Sequence, residues 1–488
     1  MKTKSKRLTV EKSSGRFYTP RYMVENILDL SEYYESNILK KHIIDNSCGD
    51  GAFLTAIVER YCKECVKQDI PLNIVADDLE KYIHGIEIDS VECEKCINNL
   101  NETVAKFNIY NVNWDIICGD TLKIEKYNGK MDFVVGNPPY IRVHNLGESF
   151  NEIKKFSFAQ TGMTDLYLVF YEIGLKMLKE NGVLGYITPS SFFNSLAGKN
   201  LRDYIIRENL LRKLVNLKHF QAFSATTYTS IVILSNRNNL NTEYYEFDEK
   251  NLIPYYVDTL HIDDYYINGK FYFSTKEQLN ELKMILIFNN TSSYFQVKNG
   301  FATLADSIFI GDFDFEQYVI PIVKASTGKK TKCFFPYKNG KLVDIEELKS
   351  DSTIKNYIEV NEVKLKHRSL ENKNEWFGFG RSQGINDVNK SKYSINSLVR
   401  TENDIKIVKC EEGTGVYSGL YILTDTSQKE LNKLVISKEF VNYISLLGKY
   451  KSGGYYTFSS KDLQLYLNYK YFERMKKSNG QLDFFTSA

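Results

Sequence analysis

The sequence predicts an α/β fold, a doubly wound, mostly parallel sheet, followed by a second, mixed α+β domain. From residue 41 to residue 235, short apolar runs alternate with helical patterns, which is typical of parallel strands with helices on both faces. Polar residues follow four of these runs directly. After about residue 295 the alternation gives way to short segments that mix Lys, Arg and aromatic residues.

The elements of the first part follow from the hydrophobic period. Apolar runs predict strands at residues 42–45, 83–89, 113–120, 131–135, 182–189, 213–220 and 229–235. A helical period predicts helices at about 52–66, 91–107, 166–179 and 201–209. Pro138 and Pro139 end the fourth strand, because proline has no N–H to donate to a sheet.

Four polar residues close the first four strands: Asp45, Glu87, Asp120 and Asn137. Ligands of open α/β sheets bind at the carboxyl ends of the strands. We therefore expect these four side chains to converge along one edge of the sheet.

Composition limits the classes of protein that the chain can belong to. Its 488 residues suffice for about two or three domains, and 43% hydrophobic with 25% charged residues is typical of globular proteins. No apolar run reaches the roughly 18 residues of a membrane span, and the first 15 residues lack the apolar core of a signal peptide. We expect a cytoplasmic protein that does not enter a membrane.

The charge is distributed unevenly along the chain. Residues 321–488 contain 28 Lys and Arg against 19 Asp and Glu, whereas residues 1–320 contain 35 against 42. A basic back part suits phosphate binding, and a solvated basic face is the alternative. We expect a catalytic domain at 1–240, a linker with peripheral strands at 241–294, and a nucleic-acid recognition domain at 295–488.

The loop after the first strand and the acids of the next two strands suit a nucleoside. Gly49 and Gly51 let the backbone pass close to a ligand, but the loop lacks the third glycine of a dinucleotide fingerprint. Glu87 can accept hydrogen bonds from ribose hydroxyls, and Asp120 can accept one from an adenine amine. S-adenosylmethionine fits a nucleoside pocket without a phosphate cradle. Each acid alone could instead be a helix cap or a surface charge.

The corner at 137–138 offers two acceptors, the side-chain oxygen of Asn137 and the carbonyl of Pro138. Two acceptors at one rigid corner suit an NH2 donor. A purely structural turn is the alternative.

The eight cysteines include two CxxC pairs, namely Cys62 with Cys65 and Cys93 with Cys96. The pairs are separated by more than the roughly 15 to 20 residues of common zinc sites, and both lie in predicted helices. We expect no metal site and reduced structural thiols.

Together these motifs resemble the N6-adenine DNA methyltransferases of restriction-modification systems, in the order called gamma class. The segments GRFYTP at 15–20, DNSCGDGAF at 45–53, GIEID at 85–89, CGDTL at 118–122 and GNPPY at 136–140 follow in the family's order. The resemblance covers about residues 15–235, with Asn46 in place of the family's usual proline. It implies a Rossmann-like methyltransferase domain.

The resemblance also implies roles for individual residues. Those around S-adenosylmethionine would be Thr19, Asp45, Ser47, Cys48, Gly49, Gly51, Glu87, Ile88, Asp120, Thr121 and Pro139. Those that catalyse transfer to the target adenine would be Asn137, Pro138, Pro139 and Tyr140. Tyr140 and Phe223 would pack on the base, with Phe220 as a competitor for the second position.

The implied function is site-specific methylation of N6 of a flipped-out adenine in double-stranded DNA, which would protect host DNA in a restriction-modification system. A separate cognate endonuclease is the expected partner, and we expect a monomer. A loose nuclease pattern of Asp344, Glu362 and Lys364 is readily produced by chance. Lys329, Arg368 and Arg381 are candidate DNA contacts.

Two other functions stay open at this point. One is methylation of a protein glutamine, as in the enzymes that modify release factors, or of an RNA base. The other is a DNA-binding subunit without catalysis. The GRFYTP segment and the basic, aromatic C-terminal part favour the DNA methyltransferase over the first, and the intact Asn137, Glu87 and Asp120 favour it over the second.

Overall fold

The computed structural model describes residues 18–142, 150–223, 227–288, 294–370 and 372–478. The chain divides into two compact units, Met1–Glu281 and Leu282–Ala488. Of the GRFYTP segment, only Tyr18, Thr19 and Pro20 lie within the described residues.

The first unit is built on a nine-stranded sheet with the order β3-β2-β1-β4-β5-β7-β6-β8-β9. Its strands are β1 Ile43–Asp45, β2 Ile83–Glu87, β3 Asp115–Cys118, β4 Met131–Gly136, β5 Leu178–Pro189, β6 Leu211–Asn216, β7 Thr229–Ser235, β8 Asn241–Asp248 and β9 Ile253–His261. The first five pair in parallel, and β7 pairs antiparallel with β5 and β6. The predicted doubly wound, mostly parallel α/β sheet is thereby confirmed.

Helices flank this sheet. They are α1 Arg21–Leu30, α2 Ala52–Lys67, α3 Leu72–Tyr82, α4 Ser90–Ala105, α5 Phe150–Ile153, α6 Leu166–Met177, α7 Lys199–Arg207 and α8 Ile262–Tyr265. Helix α9 Lys276–Leu286 crosses the division between the two units. The short pair β10 Tyr266–Ile267 and β11 Lys270–Phe271 follows α8. Helices α1 and α3 are not among the helices that the sequence predicts.

Several element ends differ from the sequence prediction, and two of these differences have a clear local reason. Helix α6 ends at Met177 rather than 179, because Leu178 already pairs with Met131 in the sheet. Strand β6 ends at Asn216, four residues before the predicted end. There the Asn216 side chain accepts a hydrogen bond from the Lys218 N–H at 2.9 Å, and Lys218 has a left-handed φ of 49°.

The strands of 241–261 continue the sheet of the first unit. Strand β8 pairs in parallel with β6, and β9 pairs antiparallel with β8. The sequence analysis assigns these strands to a separate linker at 241–294. The division into compact units after Glu281 instead includes them in the first unit.

The second unit is mixed α+β and has a core of its own, which includes Phe301, Phe309, Phe334, Ile354 and Phe379. Its strands are β12 Gln296–Asn299, β13 Val319–Lys324, β14 Lys329–Phe334, β15 Tyr337–Lys338, β16 Lys341–Leu342, β17 Lys392–Ile395, β18 Leu398–Val399, β19 Ile407–Cys410, β20 Gly415–Tyr417, β21 Leu420–Leu423, β22 Tyr450–Lys451 and β23 Tyr455–Thr457. Its helices are α10 Asp306–Phe309, α11 Ile345–Lys349, α12 Ser352–Lys366, α13 Gln428–Val435, α14 Lys438–Leu446 and α15 Ser460–Ser478. The strands form small sheets of two to four strands.

Seven of the eight cysteines are buried, whereas Cys118 at the end of β3 is exposed. Cys62, Cys65 and Cys96 are buried free thiols. Cys93 is bonded to Cys118, so the prediction of a reduced thiol is wrong for Cys93. The sequence spacing could not reveal this pair, because Cys118 is brought to Cys93 only by the packing of α4 against β3.

Two acidic residues of the loose nuclease pattern, Asp344 and Glu362, have structural partners in the fold. Asp344 caps α11 by accepting a hydrogen bond from the Glu346 N–H at 2.8 Å, and Glu362 pairs with Lys366 one turn along α12. Within the described ranges, no group of three or more His, Cys, Asp or Glu residues is arranged to hold a metal ion. A search of the same ranges finds no helix with the length and apolar character needed to span a bilayer.

Candidate active site

The ends of four neighbouring strands bring the predicted polar residues to one edge of the sheet. The order β3-β2-β1-β4 places Asp120, Glu87, Asp45 and Asn137 in sequence along that edge, each at or just after the end of its strand. Backbone hydrogen bonds connect the loops, from Cys48 N to Ile86 O at 3.0 Å and from Gly119 N to Glu87 O at 2.8 Å. The four predicted residues therefore share one rim.

The loop between β1 and α2 is shaped by two glycines with left-handed backbones. Gly49 has φ 55°, and the space where a Cβ would stand is open. Gly51 has φ 90°, is the N-cap residue of α2, and would place a Cβ 2.9 Å from the sulfur of Cys96. Only glycine fits at 51 without a shift of the helix packing. The loop thus leaves room above Gly49 and is packed tightly at Gly51.

Glu87 is a buried carboxylate with both oxygens oriented by backbone donors. Its Oε2 accepts from Gly49 N at 3.0 Å, and its Oε1 accepts from Asp89 N at 2.9 Å. A carboxylate oxygen can accept more than one hydrogen bond. Glu87 can therefore bind two neighbouring hydroxyls while its position stays fixed. Next to it, Ile88 leaves 67% of its surface exposed as an apolar rim.

Asp45 is fully buried at the end of β1. Burial raises the pKa of its carboxyl to about 7; the Glu87 carboxylate adds to the rise, and the hydrogen bond from the Ser47 backbone opposes it. That bond joins Ser47 N to Asp45 Oδ1 at 3.0 Å. A Cβ on Gly136 would lie 2.7 Å from the same oxygen. The end of β4 can approach Asp45 so closely only because residue 136 is glycine.

The loop at 46–47 is fixed from two sides. The Thr121 hydroxyl donates to the Asn46 carbonyl at 2.8 Å, and the Tyr186 hydroxyl of β5 donates to the Asn46 side-chain oxygen at 2.9 Å. Asn46 stands where the resembling family has proline. The hydrogen bond to Tyr186 restrains the loop in place of a proline ring.

Asp120 follows β3 and caps the short turn Thr121–Lys123. Its Oδ1 accepts from Leu122 N at 3.0 Å, and its Oδ2 lies 3.6 Å from the ammonium of Lys123. Both the capping role and a ligand role are compatible with a carboxylate that has further acceptor capacity.

The corner at 137–140 is anchored to the N-terminal segment. The side-chain nitrogen of Asn137 donates to the Thr19 hydroxyl at 3.1 Å, so the amide oxygen points away from Thr19. Thr19 is itself buried, and the hydroxyl of neighbouring Tyr18 lies 3.4 Å from the Glu92 carboxylate on α4. Pro138 is buried, whereas Asn137 and Pro139 are half-buried. A long-range contact thus sets the orientation of the Asn137 amide.

Tyr140 lies in an aromatic group at the end of β5. Its hydroxyl donates to the Ile187 carbonyl at 3.0 Å, and its ring meets Tyr167 and Phe223 edge to face, with centroids 6.3 and 6.2 Å apart. Phe220 instead packs on Phe247, with centroids 4.8 Å apart. Of the two phenylalanines, Phe223 is the one that packs against Tyr140.

Cys48, which was predicted to contact the cofactor, lies beneath the loop between β1 and α2 rather than on its open side. The Cys48 side chain is buried, with its sulfur packed over Gly85 of β2, and its backbone N–H and carbonyl are both bonded within the fold. Residues that the sequence did not single out are Tyr186, Tyr167 and Ile187. The signal for Tyr186 was the segment GVLGYITP, which contains the polar hydroxyl inside an apolar strand.

A comparison with protein families agrees with this geometry. Residues 29–223 match the Eco57I restriction-modification methylase family. The predicted resemblance to restriction-modification methyltransferases is thereby confirmed over this stretch. The matched stretch includes the four strand ends that carry Asp45, Glu87, Asp120 and Asn137, whereas Thr19 lies ten residues before it.

Curated relatives and solved structures extend the comparison. The chain is 31% identical to the Type II methyltransferase M.BstVI of Geobacillus stearothermophilus over 46% of this chain and 42% of that one. It is 25% identical to the Type II restriction enzyme and methyltransferase RM.Eco57I of Escherichia coli over 78% of this chain and 49% of that one. It thus spans about half the length of these relatives.

Among solved structures, the fold is similar to that of the Type IIL restriction-modification enzyme MmeI in complex with DNA. The TM-score is 0.60 with 14% sequence identity, and the match covers 90% of this chain and 63% of that one. At this identity the likeness shows a shared fold.

Proposed function

We propose that the chain is a DNA methyltransferase of a restriction-modification system that transfers a methyl group from S-adenosylmethionine to N6 of a flipped-out adenine. The observation that carries the proposal is the position of the Asn137–Pro138 corner. It follows β4 directly beside the buried Asp45 of β1, at the rim that Glu87 and Gly49 share.

The rim fits the proposed cofactor. The open space at Gly49 admits a ligand close to the backbone, and Glu87 presents a carboxylate prepared for two ribose hydroxyls. Asp120 and exposed Ile88 would contact the adenine moiety, through a hydrogen bond and an apolar face. S-adenosylmethionine carries its methyl group on a sulfonium, so transfer of the methyl group breaks the carbon–sulfur bond and releases a neutral thioether, which is a good leaving group.

The Asn137–Pro138 corner would make the target nitrogen a better nucleophile by offering it two hydrogen-bond acceptors. An exocyclic amine of a base is a weak nucleophile because its lone pair is delocalised into the ring. The Asn137 side-chain oxygen and the Pro138 carbonyl would each accept one N–H, which favours a tetrahedral nitrogen with a localised lone pair. These hydrogen bonds strengthen as positive charge develops on nitrogen, so they stabilise the transition state more than the ground state.

The aromatic group would receive the extrahelical base. Extrusion of a base from a duplex costs a few kcal/mol, and stacking on an aromatic ring recovers about 1–3 kcal/mol. The hydroxyl bond from Tyr140 to Ile187 fixes the plane of the ring, and Phe223 supports its edge. A ring that is already ordered loses little entropy when the base binds.

The second unit would provide DNA recognition, as predicted for residues 295–488. Among the candidate contacts, Arg368 has a different role. Its guanidinium donates to the carbonyls of Thr303, Trp376 and Gly378 and stacks over Phe309, so it stabilises the fold. Arg381 and Lys329 are exposed and stay candidates. Double-stranded DNA and a separate cognate endonuclease are the proposed partners of a monomeric enzyme.

The proposal is tested by incubating the protein with tritium-labelled S-adenosylmethionine and plasmid DNA, followed by digestion of the DNA to nucleosides. We expect label in N6-methyladenine. Label in N4-methylcytosine would keep the catalytic corner but overturn the adenine assignment, because cytosine also carries an exocyclic NH2. Label in protein or RNA would favour the alternative methyltransferases. DNA binding without any label would favour a non-catalytic subunit.

A further inference from the structure

The second unit contains a continuous basic segment without acidic residues. Residues 317–343 include six lysines and no Asp or Glu. The centre of this segment is the antiparallel pair β13 and β14, joined by a turn at 325–328. We call residues 319–334 the basic hairpin.

Four lysines of the basic hairpin lie near its turn. They are Lys324, Lys329, Lys330 and Lys332. Lys324 lies directly opposite Lys329 in the strand register. Like charges in directly opposite positions destabilise a strand pair. The repulsion between Lys324 and Lys329 therefore destabilises the unbound fold, and a bound anion would relieve it.

These lysines have no acidic partner among the residues that the structure describes. Across the described ranges, none of the four has a carboxylate oxygen within the 4.0 Å of an ion pair, although Lys338 further along the segment pairs with Glu347. Lys329, Lys330 and Lys332 are exposed, and the ammonium of half-buried Lys324 lies 5.7 Å from the ring centre of Tyr417.

The turn at 325–328, next to the four lysines, packs against other residues of the second unit. Ala325 is buried in a cluster with Val323, Cys410 and Val416. A Cβ on Gly328 would lie 3.3 Å from Val408 of β19. Ser326 and Thr327 are exposed residues between the lysines, and the Thr327 hydroxyl accepts a hydrogen bond from the Lys329 N–H at 3.4 Å. The charges and hydroxyls are therefore displayed on an anchored support, which lowers the entropy lost on binding.

We propose that the basic hairpin contacts the phosphate backbone of duplex DNA, with Lys329, Lys330 and Lys332 as the main phosphate ligands. The inference rests on the proposed function for the identity of the anion. Positive charge without fixed partners, next to small hydroxyl residues, suits phosphate oxygens. Such contacts position the duplex and carry no sequence preference of their own.

The edge position of β14 offers a different explanation. In its three-stranded sheet β14 lies at the edge, and lysines on edge strands prevent pairing with other chains. This role requires charge at the edge but no DNA. The two explanations predict different results when the lysines are removed.

The test measures binding of a fluorescein-labelled, mixed-sequence DNA duplex to the full chain by anisotropy over a range of KCl concentrations. Each phosphate contact contributes about one unit to the slope of log affinity against log salt. For K329A/K330A/K332A we expect a slope smaller by about 2 to 3 units, and similarly weakened binding of every duplex sequence. Replacement of the same three lysines by arginine keeps the charge and should keep the slope.

The matched control is K355A/K364A/K373A, which removes three exposed lysines from another part of the second unit; among the described residues, none of the three forms an ion pair. It should bind DNA with the wild-type slope. An equal loss in both triple variants would overturn the inference, because net charge would then explain the effect. An unchanged slope together with self-association of K329A/K330A/K332A in light scattering would also overturn it, in favour of edge protection.

Failure of this inference can be told apart from failure of the proposed function. Methyl transfer to DNA with an unchanged slope in the hairpin variant would reject only the hairpin contact. A hairpin-dependent slope without methyl transfer would reject only the catalytic proposal.

Discussion

At the residue scale, Tyr140 provides a test of base stacking. Tyr140→Ala removes the ring that Phe223 supports, so an extrahelical base loses about 1–3 kcal/mol of stacking. With 2-aminopurine at the target position, we expect the fluorescence change on binding to differ clearly from wild type. Tyr140→Phe is the control, since it keeps the ring and loses only the hydroxyl bond to Ile187. Unaltered fluorescence behaviour in the alanine variant would reject the stacking role.

Asp45 makes the stability of the first unit depend on pH. Burial raises the pKa of its carboxyl from the ordinary 3.8 to about 7. A raised pKa favours the folded state at low pH, and this contribution is lost as pH rises through about 7. Asp45→Asn keeps an oxygen for the Ser47 N–H but cannot ionise. We expect its stability relative to wild type to rise between pH 5 and pH 8.

Urea unfolding followed through Trp114 measures this difference. The chain has two tryptophans, so Trp376→Phe as a common background leaves Trp114 of the first unit as the reporter. A difference in the free energy of unfolding between the two proteins that stays constant across the pH range would show that Asp45 ionises normally in the fold.

At the element scale, the hydrogen bond from β5 to the loop at 46–47 is the contact that replaces the family's proline. Tyr186→Phe leaves the Asn46 side-chain oxygen without this donor, at a cost of about 1–3 kcal/mol in the free energy of unfolding. Because the same loop carries Ser47 and Gly49, we also expect weaker binding of S-adenosylmethionine in calorimetry.

Tyr171→Phe is the matched control for that variant. It removes a buried hydroxyl bond of similar length, 2.8 Å to Thr188, that does not involve the loop. We expect a comparable loss of stability with cofactor affinity close to wild type. If both variants bound the cofactor equally well, the tie between β5 and the loop would have no functional effect.

The elements that the sequence revealed are those with local signals. Prolines and glycines marked the end of β4 and the loop before α2, and the alternation of apolar runs predicted the sheet. Helix α3 was missed although Val75, Leu79 and Tyr82 follow a helical period on its buried face. Its short length between Pro71 and β2 hid that signal.

The contacts that orient the site were beyond reach of the sequence. Thr19 and Asn137 are 118 positions apart, and Asn46 and Tyr186 are 140 apart. No spacing rule connects residues at such separations, because the contact exists only after the sheet has formed. The order of the motifs was sufficient to identify the residues of the Asn137–Pro138 corner. Their orientation could be determined only from the fold.

At the scale of the whole molecule, each unit has its own apolar core, and the proposed cofactor residues all lie in the first. A ligand that binds only the folded state stabilises it by about 2.7 kcal/mol at a hundredfold excess over Kd. We therefore expect S-adenosylmethionine to raise the unfolding midpoint reported by Trp114 more than that reported by Trp376. An unshifted Trp114 transition would place the cofactor site elsewhere.

The measurement that tests the central claim most directly compares Asn137 variants in single-turnover methyl transfer. Asn137→Ala removes one of the two acceptors, so we predict a rate lower by at least about a hundredfold, with cofactor affinity within about tenfold of wild type. Asn137→Asp keeps an acceptor oxygen and should retain more of the rate. Transfer at the wild-type rate by Asn137→Ala would contradict the claim that the paired oxygens after β4 activate the target amine.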